Sequence, residues 1–170
     1  GEAVNSFRIL TTLATACILW ASPKAPGTTA LSTAAVFTPG SDQEVEGVGT
    51  LRRMPEITPE SLRGFETSAD GSRFLVIRIA AGDLPAARLY IRNMALPPAA
   101  KLFFYGLDTN GSVMTVSGPF EGVGPLHSGE FWTDAIAGSE IVVELQADEV
   151  LPDLPFEIVG LAGSEISEVP

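Results

Sequence analysis

From residue 73 onward, apolar and polar side chains alternate with a period of two, the spacing of a β-strand with one face buried. In RFLVIRI (73–79), Leu75, Ile77 and Ile79 share one face, while Phe74, Val76 and Arg78 share the other. Comparable runs follow at 87–93 (ARLYIRN), 101–106 (KLFFYG), 112–118 (SVMTVSG), 130–134 (EFWTD), 140–146 (EIVVELQ) and 155–161 (PFEIVGL), which makes seven predicted strands. AGDLPA and MALPPA are proline-limited turns, and Asn110-Gly111 within LDTNGS suits the positive φ angles of a tight hairpin. A parallel sheet would need crossover helices, and no stretch between these runs is long enough to hold them. The expected fold is therefore all-β: an antiparallel β-sandwich, jelly-roll-like in its connections, preceded by an N-terminal signal or linker segment.

The segment GEFWTDAIAGSEIVVELQ (129–146) shows the same alternation most fully. Ile141, Val143 and Leu145 point one way, and Glu140, Val142, Glu144 and Gln146 the other. The two glutamates are accordingly expected on a solvated strand face. Phe131 and Trp132 fall on opposite faces of their strand, so one of them reaches the core. The other packs under a loop, crosses an edge or faces a ligand.

Before residue 48 the pattern changes. Residues 6–21 (SFRILTTLATACILWA) place Arg8 ahead of a 13-residue apolar run, too short for a permanent membrane span and suited to an export signal over residues 1–25. Cys17 follows Leu13, Ala14, Thr15 and Ala16 in loose likeness to a lipoprotein acceptor. The apolar run continues through Ile18, Leu19 and Trp20, however, where a lipid-anchored chain would become polar. Residues 26–47 read as a flexible linker, 48–163 as the sandwich domain and 164–170 as a tail or the start of a linker. In TPESLRGF, Thr58 as cap and Pro59 at the first position predict a helical turn.

Composition narrows the function. With 45% apolar residues the 170-residue chain has enough material for a core, and a formal charge of -11 with no basic stripe argues against nucleic-acid binding. One Cys and one His leave no internal disulfide, no multi-cysteine zinc site and no histidine-rich metal site, so no metal or cofactor is expected. No GxSxG elbow accompanies His127, and Ser128, its neighbour on an extended chain, points away from it. A glycosidase-like carboxylate pair would have to be drawn from Glu130, Asp134, Glu140 and Glu144. LDTNGS resembles a calcium loop through Asp108, Asn110 and Gly111, but Pro119 occupies the position of the closing glutamate. No catalytic residues are assigned.

The strings RLYIRNMALPPAAKLFFYG, VSGPFEG, GEFWTDAIAGSEIVVELQ and LPFEIVGL together resemble the non-catalytic N-terminal region of secreted bacterial trypsin-like proteases of the lysyl endopeptidase type. The resemblance covers residues 70–163. It rests most on Leu96-Pro97 with Ala100, Leu102 and Tyr105, and on Phe131-Trp132-Thr133 with Gly138. It implies a secreted or envelope accessory region, partnered in cis by a protease domain. The alternative expectation is an envelope carbohydrate- or peptide-binding module, with an exposed aromatic such as Trp132 or Tyr105 as its platform; Trp132, Phe131 and Tyr105 are the aromatics that either face a partner or close the core.

Overall fold

The computed structural model describes residues 34–62, 64–68 and 71–164. The export-like segment, Cys17, the first part of the lead-in and the last six residues lie outside that range. The described chain forms twelve strands: β1 (Val36–Phe37), β2 (Asp42–Val45), β3 (Gly49–Arg53), β4 (Glu66–Thr67), β5 (Arg73–Ala80), β6 (Ala86–Arg92), β7 (Lys101–Leu107), β8 (Val113–Phe120), β9 (Phe131–Trp132), β10 (Ile136–Ala137), β11 (Glu140–Ala147) and β12 (Glu157–Gly163). Each of the seven predicted runs overlaps one of them.

They build two sheets. Sheet A runs β1-β5-β11-β7-β8, with β4 also on the outer edge of β5; sheet B runs β2-β3-β12-β6, with β9 and β10 in succession along the far edge of β6. All pairings are antiparallel except that of β1 with β5. With β9 and β10 taken as one broken strand, the chain from β3 onward crosses between sheets at every connection except the β7–β8 hairpin and the short edge strand β4. The spatial orders 3-12-6-9/10 and 5-11-7-8 are those of a jelly roll.

The core lies between the sheets and follows the alternation directly. Leu75, Ile77 and Ile79 of β5 meet Leu89 and Ile91 of β6, Leu102 and Phe104 of β7, Ile141, Val143 and Leu145 of β11, and Ile158 and Leu161 of β12. Gly106 of β7 faces inward where β10 crosses, and a Cβ there would lie 1.8 Å from the Ala137 carbonyl oxygen. Glycine is what lets these two backbones touch. In β12 the register shifts between Ile158 and Gly160, a bulge that lets Ile158 and Leu161 both point inward across an extra residue, Val159.

Three local expectations change. The stretch read as linker contributes β1 and β2. Strand β2 has no apolar alternation to reveal it, because polar pairs across the β2–β3 hairpin hold it: Arg52 Nε donates to Asp42 at 2.9 Å, Arg53 Nε to Gln43 at 3.0 Å and Thr50 Oγ1 to Glu44 at 2.7 Å. The helix start at Thr58 produces one 3₁₀ turn, Pro59–Ser61, in which Ser61 Oγ accepts from Thr58 N–H at 3.1 Å. LDTNGS is a wider loop than a two-residue hairpin: Asp108 Oδ1 accepts from the backbone N–H of Asn110 and Ser112, both at 2.8 Å, and Gly111 alone takes a positive φ, of 79°.

Candidate functional site

Both sheets carry apolar clusters on their outer faces. On sheet B, Tyr90 and Trp132 are opposite each other in register and their rings stack 5.1 Å apart. Leu51, Val159, Val45 and Val48 pack around them. Phe131 points the other way and is buried in the core against Phe120, with ring centroids 5.1 Å apart. The FW pair thus divides as strand geometry demands, with Phe131 inside and Trp132 half-buried outside.

The Tyr90 hydroxyl is hydrogen-bonded to the Glu130 carboxylate, and that bond is the main reason its pKa is raised. Next along the chain, buried Thr133 mends the break between β9 and β10. Its Oγ1 accepts from Leu89 N–H at 2.9 Å and donates to the Asp134 carbonyl at 2.9 Å, while its carbonyl accepts from Arg88 Nε at 2.8 Å. A hydroxyl thus stands in for the backbone acceptor that a continuous strand would offer Leu89.

On sheet A the outer cluster is Phe103, Tyr105 and Leu107 of β7 with Val142 of β11, flanked by Val76. Tyr105, one of the aromatics offered as either partner-facing or core, is only 1% exposed. Glu144, expected on a wet strand face, is 2% exposed beside it. Alternation told correctly which way these side chains point; the error lay in equating the outer face with water. Glu144 Oε1 accepts from Gln146 Nε2 at 2.6 Å; the Tyr105 hydroxyl and the Glu144 carboxyl lie close enough to shift each other's pKa, although neither the hydroxyl nor Oε2 makes a hydrogen bond of good geometry. Burial, above all, raises the pKa of both groups.

The other candidates are separated. Glu130 lies with Tyr90 on sheet B, Asp134 is exposed, and Glu140 forms a two-pronged ion pair with Arg78 at 2.6 and 2.9 Å on sheet A. Glu140 and Glu144, four residues apart on one strand, stand about 13 Å apart, beyond the spacing a glycosidase pair uses. Ser128 Oγ donates to the Glu130 carbonyl at 3.0 Å, and His127 occupies an exposed turn bordering a crevice between residues 96–100 and 121–124. Asp108 is engaged by its own loop. Among the described residues no group of three or more His, Cys, Asp or Glu could hold a metal ion, and no helix is long and apolar enough to cross a membrane.

Tyr90 was not singled out from sequence, and Thr133 entered only as part of the Phe131-Trp132-Thr133 string, not for its hydroxyl. The alternation of ARLYIRN does place Tyr90 opposite Leu89 and Ile91, but its pairing with Trp132 depends on sheet order. No protein-family model, curated protein or solved structure matches the chain.

Proposed function

We propose that this domain is a non-catalytic accessory or pro-region of a secreted serine protease, assisting folding, latency or targeting of a catalytic domain joined to it in cis. One observation carries the reading. The residues on which the resemblance rests form the framework of the sandwich: Leu96, Ala100, Leu102, Tyr105, Phe131 and Thr133 are all buried, and Gly138 sits where a Cβ would meet the Leu107 carbonyl oxygen at 2.6 Å. The residues that carry the resemblance are therefore ones that build a domain, and none of them is a reacting group. The coding sequence beyond Pro170 provides the test. An in-frame trypsin-like domain supports the proposal, and its refolding yield should fall when the sandwich is omitted. A stop codon with no protease encoded alongside would sink it.

A second reading, an envelope glycan- or peptide-binding module, draws on the Tyr90–Trp132 stack beside the Glu130 carboxylate, since flat aromatic faces with an adjacent acceptor suit sugars. Glycan-array binding that disappears in Trp132→Ala while the fold persists would favour it. Loss of the fold in that variant would instead make Trp132 a packing residue.

A further inference from the structure

Of the three asparagines in the chain, one is placed to react with its own backbone. Asn110 stands in the loop between β7 and β8, where it and Gly111 are both exposed. Its backbone N–H is held by Asp108 Oδ1, but its carboxamide makes no hydrogen bond among the described residues. Gly111 has a φ of 79°, and even a Cβ added there would meet nothing within 4 Å, so no side chain shields the peptide nitrogen that follows Asn110. Asn93 is exposed too, but its surroundings are the reverse. Its Nδ2 donates to Glu157 Oε2 at 3.2 Å, and the next residue, Met94, is buried with its N–H bonded to the Gly129 carbonyl at 2.9 Å. Asn5 precedes Ser6 and lies outside the described residues.

We infer that Asn110 is a site of spontaneous deamidation, at a rate that the Asp108 loop holds down. Asparagine carboxamides are a thermolabile group, and here the nucleophile is the next residue. The Gly111 backbone nitrogen, once it has given its proton to solvent base, attacks Cγ of Asn110; the N–Cγ bond forms, the Cγ–Nδ2 bond breaks, and Nδ2 takes a proton from water and leaves as ammonia. One water then opens the cyclic imide at either carbonyl, which gives aspartate or isoaspartate without any oxidant or reductant. Both products add one negative charge to the formal -11, and the isoaspartate also places an extra methylene in the main chain of the loop.

Asp108 restrains the step. Its carbonyl accepts from the attacking Gly111 N–H at 3.0 Å, its Oδ1 accepts from the N–H of Asn110 and Ser112, both at 2.8 Å, and its own N–H donates to the Ser112 carbonyl at 2.9 Å. The Gly111 nitrogen must leave the Asp108 carbonyl before it can attack, so the reaction passes through an opened loop. An exposed loop with no buried side chain opens far more readily than the core around Met94.

Prolonged incubation of the full 170-residue chain in mildly alkaline buffer, followed by peptide mapping in a mass spectrometer, tests this. Within the folded wild type, Asn110 should convert faster than Asn93 by about tenfold or more. Its peptide should yield two separable products of equal mass, the aspartyl and isoaspartyl forms, and the intact protein should shift to later elution on anion exchange. Asn110→Gln should abolish that shift. Asp108→Ala should quicken conversion about fivefold, the effect of removing roughly one net hydrogen bond from the closed loop. Conversion of Asn93 as fast as Asn110, an Asn110 peptide left intact while the urea-unfolded chain converts, a charge shift that survives in Asn110→Gln, or an unchanged rate in Asp108→Ala would each overturn the inference. The comparison of two asparagines inside one wild-type molecule needs no variant to fold. None of these results bears on whether a protease domain follows, so this inference and the accessory-region reading fail separately.

Discussion

Glu144 is the residue whose chemistry departs most from its place in the sequence. A carboxyl so enclosed is held in the fold with its pKa above the ordinary glutamate value, because burial strips water from its charged form. Below the unfolded-state value both states carry the proton and the group costs nothing. As pH rises past that value the unfolded chain ionises freely while the folded chain resists, so stability falls until the folded pKa is passed. Glu144→Gln removes this dependence. It should raise stability at pH 7 by on the order of 1 kcal/mol and change little near pH 3.5. Thermal unfolding of both proteins at the two pH values provides the measurement, and an equal difference at both would show that titration is not involved. The sequence declared Glu144 as polar and outward-facing, both of which hold; that the face is enclosed depends on what covers it, and strand periodicity carries no information about that.

At the scale of elements, the contact between β7 and β10 joins the two sheets backbone to backbone at Gly106. Replacing Gly106 by Ala would drive a methyl into the Ala137 carbonyl, so one of the two backbones must shift. The expected cost is about 3 kcal/mol or more, read as a lower urea midpoint; a loss under 0.5 kcal/mol would mean the joint is slack. Long strands with alternating apolar residues, β5, β6, β7, β11 and β12, were legible because their pattern is itself the reason they pack. Short edge strands were not. β1, β4 and β10 have two residues each, too few to show a period, and β2 is held by side-chain pairs to Arg52, Arg53 and Thr50 that exist only once the hairpin has formed. The pairing of Trp132 with Tyr90 was hidden for the same reason: it joins β9 to β6 across some forty residues of chain, and only the jelly-roll order brings them together.

For the molecule as a whole, the formal charge of -11 and the edge of β8, unpaired among the described residues, pull in opposite directions. That edge offers backbone donors and acceptors beside Val113, Met114 and Val116, all exposed, which is the template by which one sheet extends into another. In dilute salt, mutual repulsion keeps molecules apart; at an ionic strength of about 1 M, where the screening length shrinks to about 3 Å, that protection is lost. Light scattering should then show the apparent mass rising with salt for the wild type and staying flat for Met114→Glu, whereas a wild type that remains monomeric in concentrated salt would show the edge to be inert. A strand of eight residues would in this way tie the colloidal behaviour of the protein to its surroundings: dispersed where ions are scarce, and prone to join end-strand to end-strand where they are plentiful.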